Sequence, residues 1–238
     1  MEYDQLVISL FSGLIGVITG TFITLHIEKK KAEKELQLKR NQEIFSRLLE
    51  DIFQIEERSK APDDYLGLTL KNFHSIKYNY LFMGTEVETR NWLWNFFDEK
   101  IKEHNDFLFK FRKIIEDEFE KNMMEELKEF GITDNNNKIN GGYIRNLVIN
   151  EFPKIWRELT FRMPDDIPNI KKFAEQFSCE DLSENKKHAI YQGCEKAFTK
   201  LLSSKELKNF IDMRIKMTIQ TVKIKSYLMG RIQENPIK

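Results

Sequence analysis

Cysteine is nearly absent from this chain, with two in 238 residues, and no Asn-x-Ser/Thr acceptor occurs. Nothing therefore points to a disulfide framework or to an oxidising, glycosylating compartment. Proline (5) and glycine (10) are also scarce. There is no Gly or Pro between residues 21 and 61, and none between 85 and 130, which disfavours short strands joined by tight turns. Net charge is zero, so bulk charge does not recruit nucleic acid. The catalytic signatures are missing too: no Walker-type glycine loop, no G-x-S-x-G elbow, no H-E-x-x-H and no arginine–histidine ribonuclease-like pairing.

Charge is absent from residues 6–27, LVISLFSGLIGVITGTFITLHI, in a chain that is otherwise rich in it at 32% overall. As a helix this run would be about 33 Å long, close to the roughly 30 Å hydrocarbon core of a bilayer. A cleaved signal peptide fits badly, because Glu2 and Asp4 precede the run and no alanine-based cleavage site follows it. The run is expected to be a transmembrane helix. Lys29, Lys30, Lys31, Lys34, Lys39 and Arg40 crowd its C-terminal side, and no Lys or Arg precedes it. The positive-inside rule then places residues 1–5 outside the cell and everything after residue 27 in the cytoplasm, as a single-pass protein of the inner (plasma) membrane. Lys29, Lys30, Lys31 and Lys34 are the expected contacts with lipid headgroups.

Small residues recur every fourth position in the run, at Ser12, Gly16, Gly20 and Thr24. Such a ladder lets two spanning helices approach closely, so these four are the candidate self-association face and a homo-oligomer is expected.

The rest of the chain reads as all-α, with a Phe/Ile/Leu core. Residues 28–60 are expected to continue the spanning helix as a stiff stalk. Its apolar stripe of Leu38, Phe45, Leu48, Ile52 and Ile55, widened by Ile44 and Leu49, is heptad-like, with Asn41 at one seam position. That pattern serves equally a coiled coil with a second subunit or packing against the protein's own domain. Residues 61–238 form the expected cytoplasmic bundle, opening with a turn at 61–64. A second helix is expected over residues 66–83, with Leu66, Leu70, Phe73, Ile76 and Tyr80 inward. A Thr85-x-x-Glu88 capping box should start a third, running to Phe130 with a break near His104. Leu93, Phe96, Phe97, Ile101, Leu108, Phe111, Ile115, Phe119, Leu127 and Phe130 mark its buried face.

Residues 133–142 read as a flexible loop. After it come a helix over residues 143–161 kinked at Pro153, a hinge at 164–168, and a short helix to Phe177. A helix over residues 184–202 and a final one follow, the last opened by a Ser203-x-x-Glu206 capping box and ending near Met229. Residues 217–225 alternate like a strand, but Phe210, Ile211, Ile215, Ile219 and Val222 also hold helical spacing, and helix is the reading adopted.

Neither a metal site nor a cofactor is expected: Cys179, His188 and Cys194 lack zinc spacing. Residues 86–129 carry a net charge of −5 and residues 186–238 one of +8. The preferred explanation is that acidic and basic helices pack as neighbours or are simply solvated faces, rather than that a basic face meets lipid or nucleic acid. Trp92 and Trp94 point to different faces of one helix, and with Arg90 they form the candidate partner patch. The function expected from these features is non-enzymatic: a membrane-anchored helical scaffold, sensor or effector, of the kind that acts on membranes in defence or stress. The alternative is a tethered module that binds a nucleic acid, a nucleotide or a protein.

Overall fold

Scarcity of helix breakers has its direct consequence in the computed structural model, which describes residues 2–59, 64–132, 139–160, 173, 177 and 182–233, with the backbone alone for residues 2–12. Every regular element among the described residues is helical. The chain opens with α1 (Glu2–Arg40), passes without a break through a π-helical turn (Asn41–Phe45), and continues as α2 (Ser46–Arg58). At the π turn the Asn41 carbonyl accepts from both the backbone N–H and the hydroxyl of Ser46, which absorbs one extra residue without ending the helix. Asn41 is itself buried, and its side-chain amide donates to the Arg231 carbonyl at 2.8 Å. Of the two uses open to the stalk stripe, its own domain takes it: Ile44, Phe45, Leu48, Ile52 and Ile55 are all in the core.

Residues 66–83 are not one helix. A 3-10 turn (Asp64–Leu66) and an extended stretch lead to two single-turn helices, α3 (Phe73–Ile76) and α4 (Tyr80–Met83). Gly67 sits at φ 87°, in the left-handed region that glycine enters without a Cβ clash, so the helix cannot begin there. Asn105 then fixes the extended stretch by donating to the Leu68 carbonyl and accepting its N–H, both at 2.8 Å. The fully buried Asp51 carboxylate accepts from the N–H groups of Lys71, Asn72 and Phe73 at 2.7–3.2 Å, and Asn79 caps α4. The register shifts accordingly. Phe73 and Ile76 are inward as expected, but Leu66 and Tyr80 are exposed, and Leu68, Leu81 and Phe82 are buried instead. Thr85 does not open a capping box either. Its hydroxyl is buried and donates back to the Phe82 carbonyl, and Glu86 holds the N-cap position without a side-chain cap.

From there α5 (Val87–Trp94), a second π turn (Asn95–Lys100) and α6 (Ile101–Glu129) follow one another directly. The break expected near His104 is absent, because Asn105 spends its polar group on the clamp to Leu68 rather than on its own backbone. Of the buried face expected here, all but Phe130 is buried; Phe130 is 43% exposed, its ring against His188. Gly131, at φ 69°, closes α6. Then come α7 (Gly141–Thr160), with Pro153 inside it, α8 (Glu184–Leu202) and α9 (Lys205–Gln233). The Ser203 box is displaced by one residue: Ser204 accepts from the Leu207 N–H, whereas Ser203 donates to the end of α8. The loop over 133–138, the hinge at 164–168, Cys179 and most of the turn at 61–64 and of the short helix before Phe177 lie outside the described residues.

Two cores result, and α6 and α9 run through both. The first joins the π turn and α2 to α3, α4, α5, the start of α6 and the far half of α9. The second joins the rest of α6 to α7, α8 and the start of α9. Helix α9 lies antiparallel to α2: Arg214 donates to Ser59, Lys225 pairs with Glu56, and Arg231 receives Asn41. It is helical throughout, but Ile211, Ile215, Ile219 and Val222 are exposed, whereas Leu207, Phe210, Met217, Ile224 and Leu228 face the core.

Candidate functional site

Residues 13–36 of α1 are exposed on every side, including Leu14, Ile15, Val17, Phe22, Ile23, Leu25 and Ile27. A helix that is apolar all round ordinarily lies inside a core or a bilayer. Here the other described residues leave it uncovered. Among the described residues no helix is long and apolar enough to cross a membrane; the side chains described begin at Gly13, part-way along the 6–27 run. What the fold supplies is an exposed apolar helix, not a demonstrated span.

Of the self-association residues, the side chain of Ser12 lies outside the described set. A Cβ added at Gly16 or Gly20 meets nothing within 4 Å, so that face is open. Thr24 donates to the Gly20 carbonyl at 2.9 Å, and Thr19 and Thr21 do the same one turn back. The hydroxyls are thereby satisfied within the helix, as an apolar solvent requires. Lys29, Lys30, Lys31 and Lys34 are exposed.

The helix is rooted by Arg40. Arg40 donates to the carbonyls of Leu81 (3.0 Å) and Gly84 (2.8 Å), and Arg90 donates to that of Met83. Two cations thus bond the otherwise unpaired carbonyls at the end of α4. A cavity of about 310 Å³ opens beside this root, among Glu33, Arg40, Glu86, Tyr227 and Arg231. Arg90, Trp92 and Trp94 do not form one patch. Trp92 packs edge-on to Tyr227 of α9, whereas Trp94 packs among Phe73, Tyr78 and Phe82, with Lys77 over its ring.

A second cavity, of about 230 Å³, lies where the two cores meet, between α2, Leu68, α6 and α9. Its apolar lining is Ile55, Leu68, Met217 and Val222, and Glu56, Ser59, His104, Arg214, Thr218 and Thr221 are the polar residues around it. Arg214 holds the ends of two helices, donating to Ser59 at the close of α2 (2.8 Å) and to Thr160 at the close of α7 (3.3 Å), with its guanidinium over the Phe210 ring. His104 is 7% exposed, and its Nδ1 has no hydrogen-bond partner among the described residues. Burial pushes its imidazole below the ordinary value; the neighbouring Asn105 side chain works against that, and the Arg214 charge adds to it. The sequence marked His104 only as a poor helix former. A lone histidine in a charged helix carries no further signal until α2 and α9 close over it.

The acidic and basic stretches do pack as neighbours. Lys196 and Lys200 of α8 pair with Glu126 and Glu118 of α6; Lys225 of α9 instead pairs outside the acidic stretch, with Glu56 of α2. The Glu126 carboxylate holds the Lys196 ammonium above its usual value. Cys194 is buried in α8, and among the described residues no three His, Cys, Asp or Glu side chains converge as metal ligands would. The chain matches no family model, no curated protein and no solved structure at a significant level.

Proposed function

We propose that this is a non-enzymatic, membrane-anchored helical protein, a scaffold, sensor or effector, whose residues 6–27 lie in the lipid of the inner membrane and self-associate through Ser12, Gly16, Gly20 and Thr24. The observation that carries this reading is the continuity of one helix from a fully exposed apolar stretch into a buried core. The apolar stretch needs a cover, and lipid suits a surface that is apolar on all sides. Because no breaker separates it from α2, a change in bundle packing would reach the spanning helices through a stiff connection and alter how they cluster. That makes a membrane-acting defence or stress effector the favoured role. The lysines at 29–34 favour an N-terminus outside and a bundle in the cytoplasm. The tethered polyanion-binding module is the weaker reading, because Lys196, Lys200 and Lys225 are already engaged by glutamates.

The test is the native mass of the full-length protein in detergent, compared with that of a Gly16→Ile/Gly20→Ile variant. The expected result is a defined oligomer that the double substitution shifts toward monomer. Equal masses for the two proteins would remove the glycine face. A wild-type chain recovered monodisperse in buffer without detergent would remove the anchor.

A further inference from the structure

We propose that the outward face of α9 is a docking surface for an acidic amphipathic helix of a partner protein. The surface does not depend on whether residues 6–27 enter lipid. Ile211, Ile215, Ile219 and Val222 are between 41% and 53% exposed, and at 3.6 residues per turn they share an arc of roughly 80°. Nothing among the described residues covers them. Single exposed aliphatics are ordinary, but a contiguous row rimmed by polar groups marks an interaction site. Phe53 of α2, 47% exposed, extends the row sideways beneath the Lys225 ammonium, which lies 4.8 Å from the ring centre. The rim is basic. Lys205, Lys208, Lys216 and Lys223 are exposed along this face, with Asp212 the one acid beside them. Lys196, Lys200 and Lys225 have glutamate partners, whereas none of these four is ion-paired among the described residues.

The row and its rim together choose the occupant. A row of three turns, about 16 Å long, accepts a helix laid along it, whose own apolar side chains fill the spaces between the isoleucines. A strand finds no sheet edge to join, since every regular element among the described residues is helical. The lysine rim then asks for Asp and Glu on the flanks of the incoming helix. A second copy of this face would set lysines against lysines, which disfavours self-pairing. Nucleic acid would use the lysines but leave four β-branched aliphatic side chains facing phosphate. A lipid surface is disfavoured by direction. Helix α9 runs antiparallel to α2, with Arg231 joined to the root of α1 through Asn41 and Ile211 about 30 Å further along. A bilayer entered by α1 would therefore meet the row end-on rather than along its length.

The experiment uses the full-length protein in zwitterionic lipid nanodiscs, labelled at isoleucine methyl groups, so that NMR reads Ile211, Ile215 and Ile219 directly. The probes are two synthetic helical peptides sharing one leucine row, flanked by glutamates in the first and by lysines in the second. The glutamate peptide is expected to bind saturably, to move those three methyl resonances and to leave that of the buried Ile190 in place. The lysine peptide should bind about ten-fold more weakly at low salt, with the gap narrowing as salt rises. Lys216→Glu/Lys223→Glu, at exposed positions, should reverse the order of the two peptides. Equal affinity of the two peptides for the wild-type protein overturns the proposal. So does a glutamate peptide that fails to bind saturably, or one that saturates with the three methyls unmoved. Movement of the same methyls without peptide, in phosphatidylglycerol nanodiscs or on raising the protein concentration, also overturns it, because lipid or a second copy would then be the occupant. None of these overturning outcomes depends on a variant folding, and none bears on whether residues 6–27 enter lipid.

Discussion

The two cores of this molecule are held by different means. The core formed by α6, α7 and α8 is made of long helices in close approach. Gly193 puts α8 against the backbone of α6, where an added Cβ would meet Met123 N at 2.7 Å and Asn122 O at 2.8 Å, and ion pairs flank the contact. The core next to the exposed helix is made of short pieces. Its aromatic rings cluster, Phe73 stacking on Phe97 at 5.1 Å and Phe82 on Trp94 at 6.3 Å, but its backbone is held in place by single polar side chains: Asp51, Asn105, Asn79 and Arg40. Long helices satisfy their own backbone and need only a complementary surface. One-turn helices leave most of their N–H and C=O groups unpaired, so something else has to bond them.

The largest effect expected from breaking this contrast is at Gly193. Gly193→Ala would push a methyl group into the α6 backbone, which cannot rotate away as a side chain could. A loss of about 3 kcal/mol in urea unfolding is expected, with hydrogen exchange accelerated along α6 and α8 and little changed at residues 71–73. A loss below about 1 kcal/mol would mean the helices have room to separate, and the close-approach account would fail.

The converse change is Asp51→Ala. It leaves the N–H groups of Lys71, Asn72 and Phe73 without their acceptor, at an expected cost of about 2 kcal/mol. Exchange at the Phe73 amide should rise well before that of α8. Asp51→Asn should recover part of the loss, since an amide oxygen still accepts. If the aspartate can be removed with no local change in exchange, then ring packing alone holds α3, and the polar clamps are secondary.

How far the sequence could be read follows from the same contrast. Helix α8 (Glu184–Leu202), the end of α6 at Gly131 and the buried ladder from Leu93 to Leu127 were all readable, because a long amphipathic helix states its period many times over. Residues 66–83 were misread for the opposite reason. Their apolar spacing suits a helix, and the deciding partners, Asp51 and Asn105, lie 20 and 37 positions away from the backbone they bond. Helix α9 shows a third limit. Periodicity establishes that it is helical but not which stripe faces inward, and Ile211, Ile215, Ile219 and Val222 keep the same spacing on the exposed side as Phe210, Met217 and Leu228 do on the buried one. The seam cavity is beyond pattern reading altogether. It is a space between elements, and its residues share no motif.

The smallest expected effect is at that seam, and it depends on pH. His104 is buried on α6, with Arg214 facing it from α9 and Glu56, itself paired with Lys225, on the α2 wall. Burial lowers its proton affinity in the folded protein relative to the unfolded chain, and Arg214 acts in the same direction. The unfolded state therefore binds more protons over the interval below the ordinary imidazole value of 6.5, and stability falls as pH drops through that interval. Above it both states hold a neutral imidazole and the contribution is constant; below the folded value both are protonated and the loss stops growing. In His104→Gln the group cannot titrate, so its melting temperature should vary less between pH 6.5 and 5 than that of the wild type, and the two curves should run parallel above pH 7. Parallel curves across the whole range would mean that the imidazole meets water freely at the junction. The seam would then be a wet crevice between two independently held cores.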